Sequence, residues 1–302
     1  MTLPNFFIVG AAKSGTTSLA AYLRQHPDVY FSPRKEPNYF AFYGEEPSAA
    51  GPAPEAVVRK LYLSHTVNDF DAYRALFAAA NGESALGDAS VRYLYEPRAA
   101  ERIRAHAPNA RIVIVLREPA RRAYSHYTMN RQHQLETLSF DGALEAEADR
   151  RAAGWGYDWH YVGVSRYAEQ VKRYLDQFGE DAVKTILFED FADDPASVYR
   201  DVCTHIGVDP SFAPDFSVRE KVTVWPKNAA LDRWLNWPNP MREALERGPT
   251  RRVARRLFNA VRAKNAVPPP KLSPDTHARL KETFKDDVAE LSVLLGRPTG
   301  WN

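Results

Sequence analysis

The chain has 302 residues, enough to bury a substantial core, and the composition of an ordinary soluble globular protein. Forty Lys+Arg against 38 Asp+Glu give a formal charge of +2, which argues against a general polyanion binder and predicts no nucleic-acid partner. The single Cys203 excludes an intramolecular disulfide and a cysteine-rich metal site.

In chain order, Asn5-Phe6-Phe7-Ile8-Val9 predicts a buried strand and residues 17–26 a helix, with a glycine-bearing turn between them. Further strands are predicted near 28–31, 85–88, 111–116 and 183–188. Arg111-Ile112-Val113-Ile114-Val115-Leu116 is the clearest, a β-branched run of the kind buried in a parallel sheet. Helices are predicted near 69–80, 96–107, 119–132, 139–152, 166–178, 195–206 and 275–295. Cys203 falls on one of them among Val198, Val202 and Ile206, which predicts a buried structural thiol. Residues 44–56 read as a surface loop, and 266–274, with three consecutive prolines, as an extended connector. The alternation predicts one α/β domain over 1–302, a parallel sheet with helices on both faces and a looser helical part from about 211. No apolar stretch approaches the roughly 18 residues of a membrane span. No basic flank precedes a long apolar run near the start, so the expected location is cytoplasmic.

The turn Gly10-Ala11-Ala12-Lys13-Ser14-Gly15-Thr16-Thr17 predicts an anion cradle. Backbone N–H groups converge there, and the helix start adds partial positive charge. Lys13, Ser14, Thr16 and Thr17 add side-chain donors. A nucleotide-triphosphate loop would end Gly-Lys-Ser/Thr. Here Thr16 follows Gly15 and the lysine stands earlier, which suits one phosphate beside a lysine better than a magnesium–triphosphate chain.

Three further segments fall at the carboxyl edge of the predicted sheet, where ligands bind in open α/β folds. Arg117 can bind an anion as a fork, with Ser125 eight residues on, or it can pair with Glu118. Glu36, in Pro33-Arg34-Lys35-Glu36-Pro37, reads either as a structural ion pair or as a base for an incoming hydroxyl or amine. Gly87-Asp88-Ala89-Ser90 is expected to line an acceptor pocket. His126 is expected to pack on its helix, with His65 and His160 as reserve bases. Trp155, Tyr157, Trp159 and Tyr161 form either core or a ligand platform. Residues 249–264 carry six Arg and Lys around Val253, Leu257 and Val261, and read as a solvated helix face or as a contact for a membrane surface or acidic substrate.

The segment Phe7-Ile8-Val9-Gly10-Ala11-Ala12-Lys13-Ser14-Gly15-Thr16-Thr17-Ser18-Leu19 resembles the 5′-phosphosulfate loop of sulfotransferases that use 3′-phosphoadenosine 5′-phosphosulfate (PAPS). Ile114 to Tyr127 resembles their 3′-phosphate segment, with Arg117 and Ser125 in the binding positions. Lys35-Glu36-Pro37-Asn38-Tyr39-Phe40 is similar to the Lys-Glu-Pro-His-Phe-Phe segment of the heparan-type branch, whose Glu is the catalytic base. Gly163-Val164-Ser165-Arg166-Tyr167 and Leu187-Phe188-Glu189-Asp190-Phe191 resemble later landmarks. Asn38 replaces the usual His, and Ala89 a frequent acceptor-side Lys, which weakens the case for a heparan-like acceptor.

The resemblance implies a P-loop NTPase-like fold and a PAPS-dependent transferase. Glu36 and Lys13 would be catalytic. Lys13, Ser14, Gly15, Thr16, Thr17, Ser18, Arg117 and Ser125 would bind the donor, and no metal is expected. Val222 to Asn228 would close over it, with Lys227 on the 3′-phosphate. The partner would be a hydroxylated acceptor: carbohydrate, glycolipid or small metabolite. A P-loop kinase and a non-catalytic nucleotide-binding module are the alternatives.

Overall fold

Alternating residues of each strand serve two different cores. The computed structural model describes residues 3–217, 224–237 and 251–301. Strands β1 (Phe6–Gly10), β2 (Val29–Phe31), β3 (Ala85–Ala89), β4 (Arg111–Leu116) and β5 (Val183–Leu187) form one all-parallel sheet in the order β2-β3-β1-β4-β5. Phe7, Val9, Ile112 and Ile114 point into a core that includes Val171, Tyr174 and Phe284. Phe6, Ile8, Val113 and Val115 point into the other, with Leu19, Leu23, Tyr199 and the buried Cys203. Helices therefore cover both faces, as a parallel sheet requires. This is the P-loop NTPase-like α/β fold expected.

β1 is central, and its pairing with β4 skips a residue between Ile8 and Gly10. That irregularity re-aims the chain as it leaves the sheet. Gly10 is needed there, because a Cβ would lie 2.6 Å from Leu94 Cβ. The chain then turns into helix Thr16–Leu23.

Some elements differ from expectation. The 139–152 helix is two, Phe140–Glu145 and Glu147–Ala152, meeting at Ala146. The helix expected over 69–80 runs only Phe70–Ala75, opened by Asp69 accepting from Ala72 N–H. The 266–274 connector begins as a strand: Ala266–Val267 pairs antiparallel with Trp225–Pro226. Among the described residues, no helix is long and apolar enough to cross a membrane.

Candidate active site

A cavity of about 780 Å³ opens at the carboxyl ends of β1 and β4. One end is cationic. Lys13, Gly15, Thr16, Thr17, Ser18, Lys35, Arg117 and Ser125 line it, with Phe188 below. Gly15 lies at φ 87°, and a Cβ there would also meet the Phe188 ring at 3.0 Å. Only glycine suits both constraints. Helix Thr16–Leu23 opens with no side-chain cap and no acidic residue in its first turn. Its N–H groups and partial positive charge are left for an anion. Ser14, by contrast, is fully buried behind the loop, its N–H donating to the Ala11 carbonyl.

Arg117 does not pair with Glu118. Its guanidinium donates to the Lys13 carbonyl (3.3 Å) and lies over the Phe188 ring at 4.7 Å, while its Nε has no protein partner. Glu118 instead caps its own helix, accepting from Arg121 N–H (2.8 Å), and meets His277 Nε2 at 3.2 Å. The Tyr167 hydroxyl donates to the Arg117 carbonyl and fixes the backbone there. Lys35 Nζ donates to Thr17 Oγ1 (3.2 Å), so a third cation joins Lys13 and Arg117. Burial, then Arg117 and Lys35, lower the Lys13 pKa to about 8.

The other end holds Glu36, Asn38, Leu61, Tyr62, His65, Arg92, Met129, His133, Tyr157 and Asp158. Glu36 is half-buried, at φ 52°, with no hydrogen-bond or ion-pair partner among the described residues. Burial pushes its carboxyl above the usual carboxylate range, against the pull of Lys35 and Arg92. Arg34, expected beside it, turns outward to the Thr66 carbonyl. The structural ion pair weighed for Glu36 is therefore not made. Arg92 is neutralised within the wall, paired with Asp158 at 2.9 Å and stacked over Tyr157 at 4.0 Å.

Gly87 to Ser90 was expected in the pocket lining and is elsewhere. Asp88 and Ser90 are fully buried. Asp88 accepts from the Tyr73, Tyr93 and Ser90 hydroxyls, and Ser90 Oγ accepts from Asn38 N–H. The Tyr93 oxygen accepts from Phe40 N–H. This network pins the backbone after Glu36, where Asn38 also adopts positive φ (56°). Asp88 thus holds the turn that carries Glu36 and lies outside the cavity lining.

The sulfotransferase family model matches residues 4–213. The chain belongs to the sulfotransferase family. It is similar to a sulfotransferase of Alicyclobacillus acidocaldarius, at 37% identity and TM-score 0.77 over 100% of this chain and 99% of that one. It is 31% identical to the membrane-associated sulfotransferase kil1 of Dictyostelium discoideum over 156 residues, 49% of this chain and 29% of the relative. It is 23% identical to the mouse bifunctional heparan sulfate N-deacetylase/N-sulfotransferase 3 over 306 residues, 98% of this chain and 30% of the relative. The chain thus spans under a third of the length of these two curated relatives.

The later landmarks of the sequence are structural supports. Ser165 Oγ accepts from the fully buried Arg122 (2.7 Å), which also meets His126 Nδ1 at 3.1 Å. His126 packs as expected. Glu189 accepts from Glu118 N–H and Trp301 Nε1, tying the C-terminal residues to β4. Trp159 and Tyr161 are core, whereas Tyr157 reaches the cavity. His160 is buried against the Tyr95 hydroxyl, and His65 lines the cavity.

A second cavity, about 720 Å³, adjoins the first, and Arg117 and Ser125 line both. Its other walls include Arg121, Tyr124, Lys271 and His277. Val222 and Thr223 of the expected closing segment lie outside the described residues. Lys227 is exposed in a turn, its N–H donating to the Asn265 carbonyl, and lies outside both cavity walls. Lys271, which nothing in its local sequence marks, lines the second cavity. The Tyr124 hydroxyl holds that segment by donating to the Pro270 carbonyl (2.6 Å).

Proposed function

We propose that this chain transfers a sulfuryl group from PAPS to a hydroxyl, or an amine, of a carbohydrate, glycolipid or small hydroxylated metabolite. One observation carries the reading. A single cavity gathers Lys13, Lys35 and Arg117 at an uncapped helix start and sets an unpaired carboxylate, Glu36, in its other end.

The residues suit the donor. The backbone amides of Lys13 and Gly15 to Thr17, with the Thr16 and Thr17 hydroxyls, would hold its 5′-phosphate. Arg117 and Ser125 would hold its 3′-phosphate, with Arg121 and Lys271 flanking. Arg117 lines both cavities and its Nε has no protein partner, which supports that assignment. PAPS supplies an activated sulfuryl group: the acceptor oxygen bonds to sulfur as the bond from sulfur to the 5′-phosphate oxygen breaks. Lys13 meets the charge that gathers on the departing oxygen. Glu36 takes the acceptor proton. Its carboxyl, raised by burial above the ordinary range, is a stronger base than an exposed carboxylate. The likeness to a heparan sulfate N-sulfotransferase supports carbohydrate among the acceptor classes.

Metal-free titration with 3′,5′-adenosine bisphosphate tests the donor site, and isotopically labelled PAPS with mass spectrometry for a gain of SO₃ tests transfer. Preference for Mg-ATP would favour a kinase. Nucleotide binding without transfer to any acceptor would favour a binding module. Either result overturns the proposal.

A further inference from the structure

Helices Ala229–Asn236 and Arg251–Lys264 pack on each other through Leu235, Phe258 and Val261. That small core leaves apolar surface uncovered. Leu257 is 60% exposed, Trp234 39% and Leu231 37%. They are three of the six large apolar side chains exposed to this degree among the described residues, so the concentration on one helix pair is local. The exposed residues adjoin that core. Trp234 meets the Phe258 ring edge-on at 5.8 Å, and Leu257 precedes Val261 by one turn.

The same helix pair is basic. Residues 251–264 hold six Arg and Lys and no Asp or Glu. Arg233, Arg256 and Lys264 are exposed, and the first helix has one acid, Asp232. The pair also stands beside the Glu36 end of the cavity. Trp237 Nε1 donates to the His133 carbonyl (3.2 Å), and Trp237 packs in the cluster that holds Leu61 and Tyr62. His133, Leu61 and Tyr62 line the cavity.

We propose that this helix pair docks the protein on an anionic lipid bilayer. Leu231, Trp234 and Leu257 enter the boundary between headgroups and acyl chains, and the basic side chains of the pair meet acidic headgroups. A polyanionic glycan would match the cations and leave the apolar residues in water. A neutral apolar surface would leave the cations unmatched. The bilayer satisfies both, and it sets the acceptor end of the cavity close to the membrane.

Co-sedimentation of the full chain with vesicles tests this independently of sulfuryl transfer. Binding to phosphatidylcholine–phosphatidylglycerol vesicles should exceed binding to phosphatidylcholine alone by about tenfold or more. Leu231→Ser with Leu257→Ser should lower it about tenfold, as should Arg256→Glu with Lys264→Glu. All four positions lie outside both cavities, so 3′,5′-adenosine bisphosphate affinity and melting temperature should hold in each variant, which separates lost docking from lost folding. Equal binding to neutral and anionic vesicles, or none, overturns the proposal. So does anionic binding unchanged in the Leu231→Ser, Leu257→Ser variant. Retention on heparin without vesicle binding would reassign the surface to a polyanionic glycan.

Discussion

Arg117→Ala removes the one side chain that faces both cavities from the end of β4. Its guanidinium is supported by the Lys13 carbonyl and the Phe188 ring and has an unpartnered Nε. A charge-assisted hydrogen bond contributes about 1.5–3 kcal/mol, and a forked contact with phosphate about 2–4 kcal/mol. The loss corresponds to about 30- to 700-fold in Kd. The folded state loses one long hydrogen bond and a cation–π contact, about 1–2 kcal/mol together. Metal-free calorimetry should therefore show 3′,5′-adenosine bisphosphate binding weakened by that factor. Adenosine 5′-phosphate, which lacks the 3′-phosphate, should bind within about twofold of before. Arg117→Lys keeps the charge but not the fork, and should fall between. Equal losses for both nucleotides would mean that Arg117 shapes the 13–17 loop and does not read the 3′-phosphate.

Other expectations follow from the same geometry. Lys13→Ala should reduce transfer by about 10² or more, measured at saturating PAPS. Because Lys13 is depressed by burial and by Arg117, its charge opposes folding of the ligand-free protein, so the variant's melting temperature should hold or rise without ligand. The profile of kcat/KM against pH should be bell-shaped. Glu36 must be deprotonated, so activity falls as pH drops through a value above the ordinary 4.5; Lys13 must be charged, so activity falls as pH rises through about 8. A flat profile between pH 5 and 9 would remove both assignments. Arg150→Met should destabilise by about 3 kcal/mol in urea denaturation, because it strips a two-pronged partner from the fully buried Glu136 side chain. Nucleotide affinity should be unchanged.

The sheet and the donor loop were legible because local signals are strong there. β1 and β4 are runs of apolar residues that few other structures accept, and Gly15 sits where the backbone demands positive φ. Arg117 was legible by position, since β4 ends one residue before it. Lys35 was read only as a neighbour of Glu36. Its bond to Thr17 depends on how the β2 edge folds back toward the loop, a long-range fact. Asp88 was misplaced because its partners, Tyr73 and Tyr93, supply hydroxyls from elements with no pattern pointing at it. Lys271 was missed for the same reason: 146 residues separate Tyr124 from Pro270, the contact that holds its segment at the second cavity. The sequence shows the cations beside Glu36 but not its burial, which has the larger effect on its carboxyl.

Glu36→Gln tests the mechanism most directly, because it preserves shape and removes basicity. With an acceptor recovered by the labelled-PAPS screen, single-turnover transfer should fall by about 10²–10⁴. Affinity for 3′,5′-adenosine bisphosphate should stay within about twofold, and so should the melting temperature within a few degrees, since Glu36 has no pairing to lose. Full transfer by the Gln variant would contradict the account and pass the base role to His65, the reserve histidine that lines the same cavity.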